Sequence, residues 1–185
     1  MIETRTFMLS NPDRDRYDRA SITFHWLTAV LVLVLWLMAQ SEGLLPREWR
    51  HGMWSIHIAA GATLVLIYCV RLPWRMTSGA RLASVNSGLL RLLEHATHGL
   101  LYVLLAATLA LGIVNVAARG WDFFGFVQVP AFAPDNRALR RSINGWHELA
   151  ANVLLGLAAF HALAALYHQF VRKDGVLNRM IAPRR

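Results

Sequence analysis

The sequence is short of cysteine and of charge, and both shortages exclude chemistry. Its single cysteine, Cys69, leaves no intramolecular disulfide and no cysteine-held cluster or zinc site. Placed inside an apolar run, it reads as a small buried apolar side chain. Charged residues make up 16% of the chain against 56% apolar, and mean hydropathy is positive. Four stretches contain no Asp, Glu, Lys or Arg: Ala20 to Ser41, Gly52 to Val70, His95 to Ala118, and Leu149 to Val171. Each is close to the roughly 20 residues that an α-helix needs to cross a bilayer. None shows the polar alternation of a barrel strand. The first is longer than the roughly 7–15-residue apolar core of a signal peptide, so it reads as a retained span. Repeats, low-complexity tracts and separate soluble domains are also missing. These features predict an all-α integral membrane four-helix bundle. It forms a single domain over 1–185, with spans near 20–41, 52–70, 95–118 and 149–171.

The net charge of +8 is best used to orient those spans. Arg5, Arg14, Arg16 and Arg19 precede the first; Arg71, Arg75, Arg81 and Arg91 join the second and third; Arg172, Lys173, Arg179, Arg184 and Arg185 follow the fourth. These are 13 of the 19 basic residues, and only Arg47, Arg50, Arg119, Arg137, Arg140 and Arg141 lie on the other side. The positive-inside rule therefore places both termini in the cytoplasm. No basic patch interleaved with aromatics argues for nucleic acid. Ser21 is a plausible cap for the first helix. The inner loop, with Pro73, Gly79 and Gly88, reads as lying on the membrane surface. The outer loop from about Arg119 to Gly145 is the longest, and its "WDFFGFVQVPAFAPDN" reads as an aromatic cluster at the interface.

Histidines stand out against this apolar background. His147, His161 and His168 are separated by 14 and then 7 residues, so at about 3.6 residues per turn they share one stripe of a helix. By depth, His57 and His147 lie toward the outside, and His25 and His161 toward the cytoplasm. The 14 residues from His147 to His161 rise about 21 Å. Polar groups in a membrane are costly, which favours a functional reading of rings at two matched depths. Two facing imidazoles can supply both axial ligands of a haem iron, leaving no open position, an arrangement suited to electron transfer. Gly61, Gly156, Ala158, Ala162 and Ala165 offer room near them, although close helix packing explains small residues nearly as well. Other metal sites fit less well. "WHELAAN" lacks the second histidine of a zinc-protease motif. The uncharged spans cannot supply the carboxylates of a di-iron site. His51 falls off the face of His57 and reads as a non-functional loop residue.

At these residues the chain resembles the bacterial cytochrome b561 family. The segments that carry the resemblance are "SITFHWL", "WSIHIAAG", "HATHGLLYVLL", "FFGFVQVP", "GWHELAAN" and "FHALAALYHQF". They follow the family's order and cover essentially the whole chain. The resemblance implies four transmembrane helices and two haem b groups in a bacterial inner membrane. It places the axial ligands on His25, His57, His147 and His161, paired as His25/His161 and His57/His147. It also implies electron exchange with quinone, and one family activity is superoxide oxidation with ubiquinone reduction. Two other readings compete. One is a haem-b anchor subunit linking a dehydrogenase or hydrogenase to quinone; the other is a haem-free transporter or structural bundle with a histidine proton relay.

Further site residues follow from that expectation. Arg119, Arg137, Arg140 and Arg141 lie on the His57/His147 side, where a positive field would raise the encounter rate of superoxide. Binding of lipid phosphates or haem propionates accounts for them equally well. His168, about 10 Å beyond His161, is too far to share its iron. It is instead placed near a quinone head group, where an imidazole can hydrogen-bond a carbonyl and pass a proton. His95 and His98, at i, i+3 spacing near the start of the third span, are assigned to the same region.

Overall fold

A computed structural model of the protein describes residues 16–80, 82–181 and 183. Arg5, Arg14, Arg81, Arg184 and Arg185, all used above to orient the spans, lie outside the described residues. Four long helices dominate: α1 (Arg19–Ser41), α2 (Arg47–Thr77), α3 (Gly88–Arg119) and α4 (Arg137–Tyr167). All four are long and apolar enough to cross a membrane. A β-hairpin of β1 (Trp121–Phe123) and β2 (Val127–Val129) joins α3 to α4.

Three of the helices outrun the uncharged stretches that announced them. α2 to α4 have 31 or 32 residues each, about 46 Å of helix against a hydrocarbon core of roughly 30 Å. In a bilayer the surplus turns would reach the headgroup zone, where arginine stems can lie along apolar surface while their heads stay hydrated. α2 thus continues through Pro73 into what the sequence suggested was loop, and His51 is helical rather than in a loop. Likewise the connection after α3 is shorter than expected, because α4 begins at Arg137. Asn136 caps it, its side chain accepting from the Leu139 N–H at 3.0 Å. The cap of α1 is not Ser21 but Asp18, three residues earlier.

Asp18 does more than end a helix. Its carboxylate accepts from the Ser21 N–H at 2.8 Å and the Ser21 hydroxyl at 2.7 Å. It also accepts from the Trp74 indole at 3.2 Å and the Ala80 N–H at 3.0 Å, tying α1 to the end of α2 and the loop beyond. Partial burial pushes the carboxyl upward, but these hydrogen bonds outweigh it and hold the group at about 2, down from 3.8. The sign follows: the stabilisation is complete above about 3.8 and fades as pH falls through about 2. Asp18→Ala is expected to cost about 1 kcal/mol as a lost cap alone. It should also flatten the acid side of the melting-temperature profile in detergent. An unchanged acid limb would show that the four bonds do not matter.

Nearby, the C-terminal segment closes the same end of the bundle. The Tyr17 N–H reaches the Arg179 carbonyl at 3.3 Å, and the Trp26 indole donates to the Met180 carbonyl at 2.8 Å. The start of α1 and the segment around Met180 therefore lie together.

The core is a single leucine layer at mid-height: Leu35, Leu64, Leu105 and Leu154, one from each helix. Most other large apolar side chains face outward, Leu66, Val103 and Leu163 among them, as lipid contact requires. α3 packs most extensively on α4, and α1 on α2. Polar side chains add links between helices: the Trp36 indole to Asn152 at 2.8 Å, the Tyr68 hydroxyl to the Tyr102 carbonyl at 3.3 Å, and Asn115 to Asn144 at 3.1 Å. Such bonds help join helices where no hydrophobic drive exists between them.

Candidate functional site

The leucine layer organises everything polar around it. Seven-residue steps give His57, Leu64 and Arg71 on α2; His98, Leu105 and Gly112 on α3; and His147, Leu154 and His161 on α4. Seven residues are nearly two turns, about 10 Å of rise, so each line stays on one helix face. With the helices alternating in direction, His57, Gly112 and His147 fall on the hairpin side of the leucines. Arg71, His98 and His161 fall on the side of the termini, where α1 adds His25.

At the terminal side the His25 and His161 rings lie 6.3 Å apart, centroid to centroid, at 68°. An imidazole nitrogen binds a metal at about 2 Å, so two rings sharing one ion have centroids roughly 6 Å apart. His98 joins this cluster, its ring 5.2 Å from that of His161. The sequence had grouped His98 with His95, but the structure separates them. His95 lies on an exposed part of the helix, its Nδ1 2.7 Å from the Arg91 carbonyl. Arg71 also enters the cluster. Its Nη2 is 3.4 Å from His25 Nδ1 and its guanidinium carbon 5.1 Å from the Tyr102 ring centre.

At the hairpin side, the His147 Nδ1–H donates to the Thr108 carbonyl at 3.0 Å. That bond sets the tautomer and leaves Nε2 as the free ligand atom, the usual arrangement for a metal-binding imidazole. Gly112 makes room for the ring: a Cβ there would lie 3.1 Å from His147 Cε1. Across from it, the Leu35 main chain lies near the His57 ring. Even so, the buried His57 Nδ1 meets hydrogen-bond geometry with no described residue. His147 is the neighbouring imidazole of His57 on this side of the leucines. The ring that His57 meets edge-on is Trp54, at 5.1 Å. Among the described residues no three His, Cys, Asp or Glu side chains converge to hold a bare metal ion. An orphaned buried nitrogen, a glycine cradle and the close approach of the His25 and His161 rings fit haem held between axial histidines.

The glycines named from the sequence behave differently from Gly112. A Cβ on Gly61 or Gly156 would meet nothing within 4 Å. They border open space and are not points of close helix contact. Gly112 escaped sequence reading, though its seven-residue step from Leu105 is a usable signal.

The hairpin covers the end of the bundle away from Tyr17 and Met180. The Trp121 indole donates to the fully buried Ser55 hydroxyl at 3.1 Å, and its ring stacks on His51 at 5.0 Å and 12°. His51 Nε2 donates to the Asp122 carbonyl at 3.0 Å. His51 therefore has the structural part expected of it, within α2. Gly120, at φ 71°, makes the turn into β1, and a Cβ there would meet the Val129 carbonyl at 2.9 Å. Arg119 donates to the Asn115 side chain at 2.8 Å, while Arg137, Arg140 and Arg141 occupy the first turns of α4. Among the described residues none of the four forms an ion pair.

His168 starts a π-helical turn, His168–Arg172, that replaces the α-helix after Tyr167. Its Nδ1–H donates to the Asp174 carboxylate at 2.5 Å, and Arg172 lies 3.7 Å from the same oxygen. The side chain is 15% exposed. The residues that follow line an open cavity of about 310 Å³, with Gln169, Phe170 and Lys173 in its wall.

Comparison with known proteins gives the family. The family model of the prokaryotic cytochrome b561 matches residues 16–183. The probable superoxide oxidase CybB of Yersinia pestis is 30% identical over 92% of this chain and 98% of its own. Cytochrome b561 homolog 2 of Escherichia coli K12 is 33% identical, over 90% and 92% respectively. Cytochrome b562 of Cereibacter sphaeroides is 30% identical, over 91% and 96%. The chain belongs to the prokaryotic cytochrome b561 family, and is a multi-pass bacterial membrane protein of haem-b electron transfer.

Proposed function

We propose that the protein is a single-domain inner-membrane oxidoreductase with two haem b groups, both termini in the cytoplasm. His57 and His147 hold the outer haem, and His25 and His161 the inner. The observation that carries this reading is the His25–His161 pair: two rings 136 residues apart in sequence, brought to 6.3 Å from two separate uncharged helix segments. Bound haem supplies reversible one-electron chemistry. The chain's own part is to hold the rings, exclude water and manage protons at the two ends. The test is spectroscopic. Purified protein should be red, with a reduced-minus-oxidised b-type spectrum and two haems per chain by pyridine haemochrome. A colourless protein after expression with ample haem would sink the reading in favour of a haem-free bundle.

The electron acceptor in this reading is ubiquinone at the His168 end, and the donor is superoxide at the hairpin end. Each superoxide loses one electron to become oxygen, so reducing one ubiquinone takes two superoxides and two protons. Support for the donor is the name of the Yersinia relative together with Arg119, Arg137, Arg140 and Arg141. The N-terminus of α4 adds a partial positive charge to theirs. Stopped-flow reduction by superoxide should slow as salt rises. Screening shortens the reach of these charges from about 30 Å at 0.01 M to about 8 Å at 0.15 M. Replacing Arg137, Arg140 and Arg141 by Gln should lower the low-salt rate and remove most of its salt dependence. A rate indifferent to salt would end the steering role.

A further inference from the structure

Among the described residues Arg71 is a cation without an anion. It stands at the end of the line His57–Leu64–Arg71, level with His161, between His25 of α1 and Tyr102 of α3. Its polar contact among those residues is the 3.4 Å approach to His25 Nδ1, near the limit of a hydrogen bond and to a neutral acceptor at best. The Tyr102 ring beneath it is a second, weaker attraction. Among the described residues the ion pairs are those of Asp174 with His168 and Arg172, so no carboxylate neutralises Arg71. Arg75, one turn on, is different: its Nη1 donates to the Ala80 carbonyl at 2.7 Å. A half-buried charge is normally paired, and a guanidinium matches a carboxylate with two parallel bonds. The four uncharged helix segments offer no such partner.

We infer that Arg71 receives a carboxylate of the inner haem, one of its propionates. In doing so it holds that haem's reduction potential above the value it would have beside a neutral residue. The inference rests on the two-haem reading above. Arg71 is here a positioning residue and ligates nothing. With the guanidinium removed, the propionate keeps its negative charge close to the iron in a medium of low dielectric. Adding an electron then becomes less favourable. A lipid phosphate is the other anion within chemical reason, and the test separates the two.

Optical redox titration of the holoprotein reads the outcome directly. Arg71→Gln should lower one of the two midpoint potentials by at least a tenfold change in the one-electron equilibrium constant, about 59 mV. The other potential should stay in place, and Arg71→Lys should keep most of the wild-type value. The Lys variant and a haem count accompany Arg71→Gln, so that a loss of haem is not read as a shift in potential. The second arm labels the haem propionates with carbon-13 and reads their carboxylate bands by redox-difference infrared spectroscopy. There, Arg71→Gln should shift the bands of one haem's propionates and leave the other's in place. An inner potential insensitive to Arg71→Gln overturns the inference, and so do propionate bands that the substitution leaves unmoved. The latter result would assign Arg71 to lipid phosphate or to His25 alone. Wild-type protein without haem would instead defeat the functional reading itself, a result that cannot be confused with these.

Discussion

Alanine in place of His57 or His147 is expected to abolish the outer haem while leaving the inner one largely in place. His25→Ala or His161→Ala is expected to do the converse. Each iron has only two protein ligands in this arrangement, so losing one removes half of its attachment. The two sites are separated by the leucine layer: Leu154 stands about 10 Å along α4 from both His147 and His161, and Leu64 as far along α2 from His57. Nothing in either pair touches the other, so the losses should be independent, with one haem remaining per chain in each variant. Pyridine haemochrome and the reduced α-band would count them. Equal loss of both haems from all four variants would mean that the rings hold the fold, or a shared site, and not two separate irons. His98 is the third ring of the inner cluster, 5.2 Å from that of His161, and the ring placed to substitute for a lost inner ligand. Any inner-haem signal that survives in His161→Ala should therefore vanish when His98→Ala is added.

The second large effect is expected at His168. His168→Ala should retain both haem spectra and slow electron exchange with ubiquinone by about 100-fold, the lower range for a lost general acid–base group. Asp174→Asn should slow it by roughly 10-fold, as for a residue that orients a functional imidazole. The Asp174 carboxyl is pushed up by its partial burial. The hydrogen bond from His168 and its neighbours outweigh that and set it below the usual carboxylate range. The pair is therefore intact throughout the neutral range and is lost only as pH falls below the ordinary carboxylate value. The slow-down in Asp174→Asn should accordingly be present at neutral pH, with the gap to wild type closing in acid. Unchanged quinone kinetics in His168→Ala would reduce the His168–Asp174 bond to a fastening for the chain after α4.

The fold class was legible because a bilayer imposes a simple rule: backbone polar groups must be satisfied within the segment, so long uncharged runs become helices. Helix ends were less legible. Charge marks where hydrocarbon stops, but a helix stops where its capping and its last hydrogen bonds stop. Asp18 and Asn136, with their acceptor oxygens, did that locally. The hairpin was missed for a related reason. Its strands have three residues each, and it is held by Trp121 reaching Ser55, a contact 66 residues away in sequence.

The sequence by itself determined the four helices, the leucine-and-histidine lines at seven-residue steps, and which imidazoles share a depth. Helical periodicity is a local property, and a membrane restricts helices to nearly parallel packing, so depth follows from counting. Only the tertiary structure decided what stands beside each ring. It brought His98 from another helix against His161, set Gly112 and the Thr108 carbonyl around His147, and aimed Arg71 at His25. Those neighbours depend on how each helix is rotated about its axis and how far it slides against the next. That is settled by side-chain packing between segments distant in sequence, and no single helix records it.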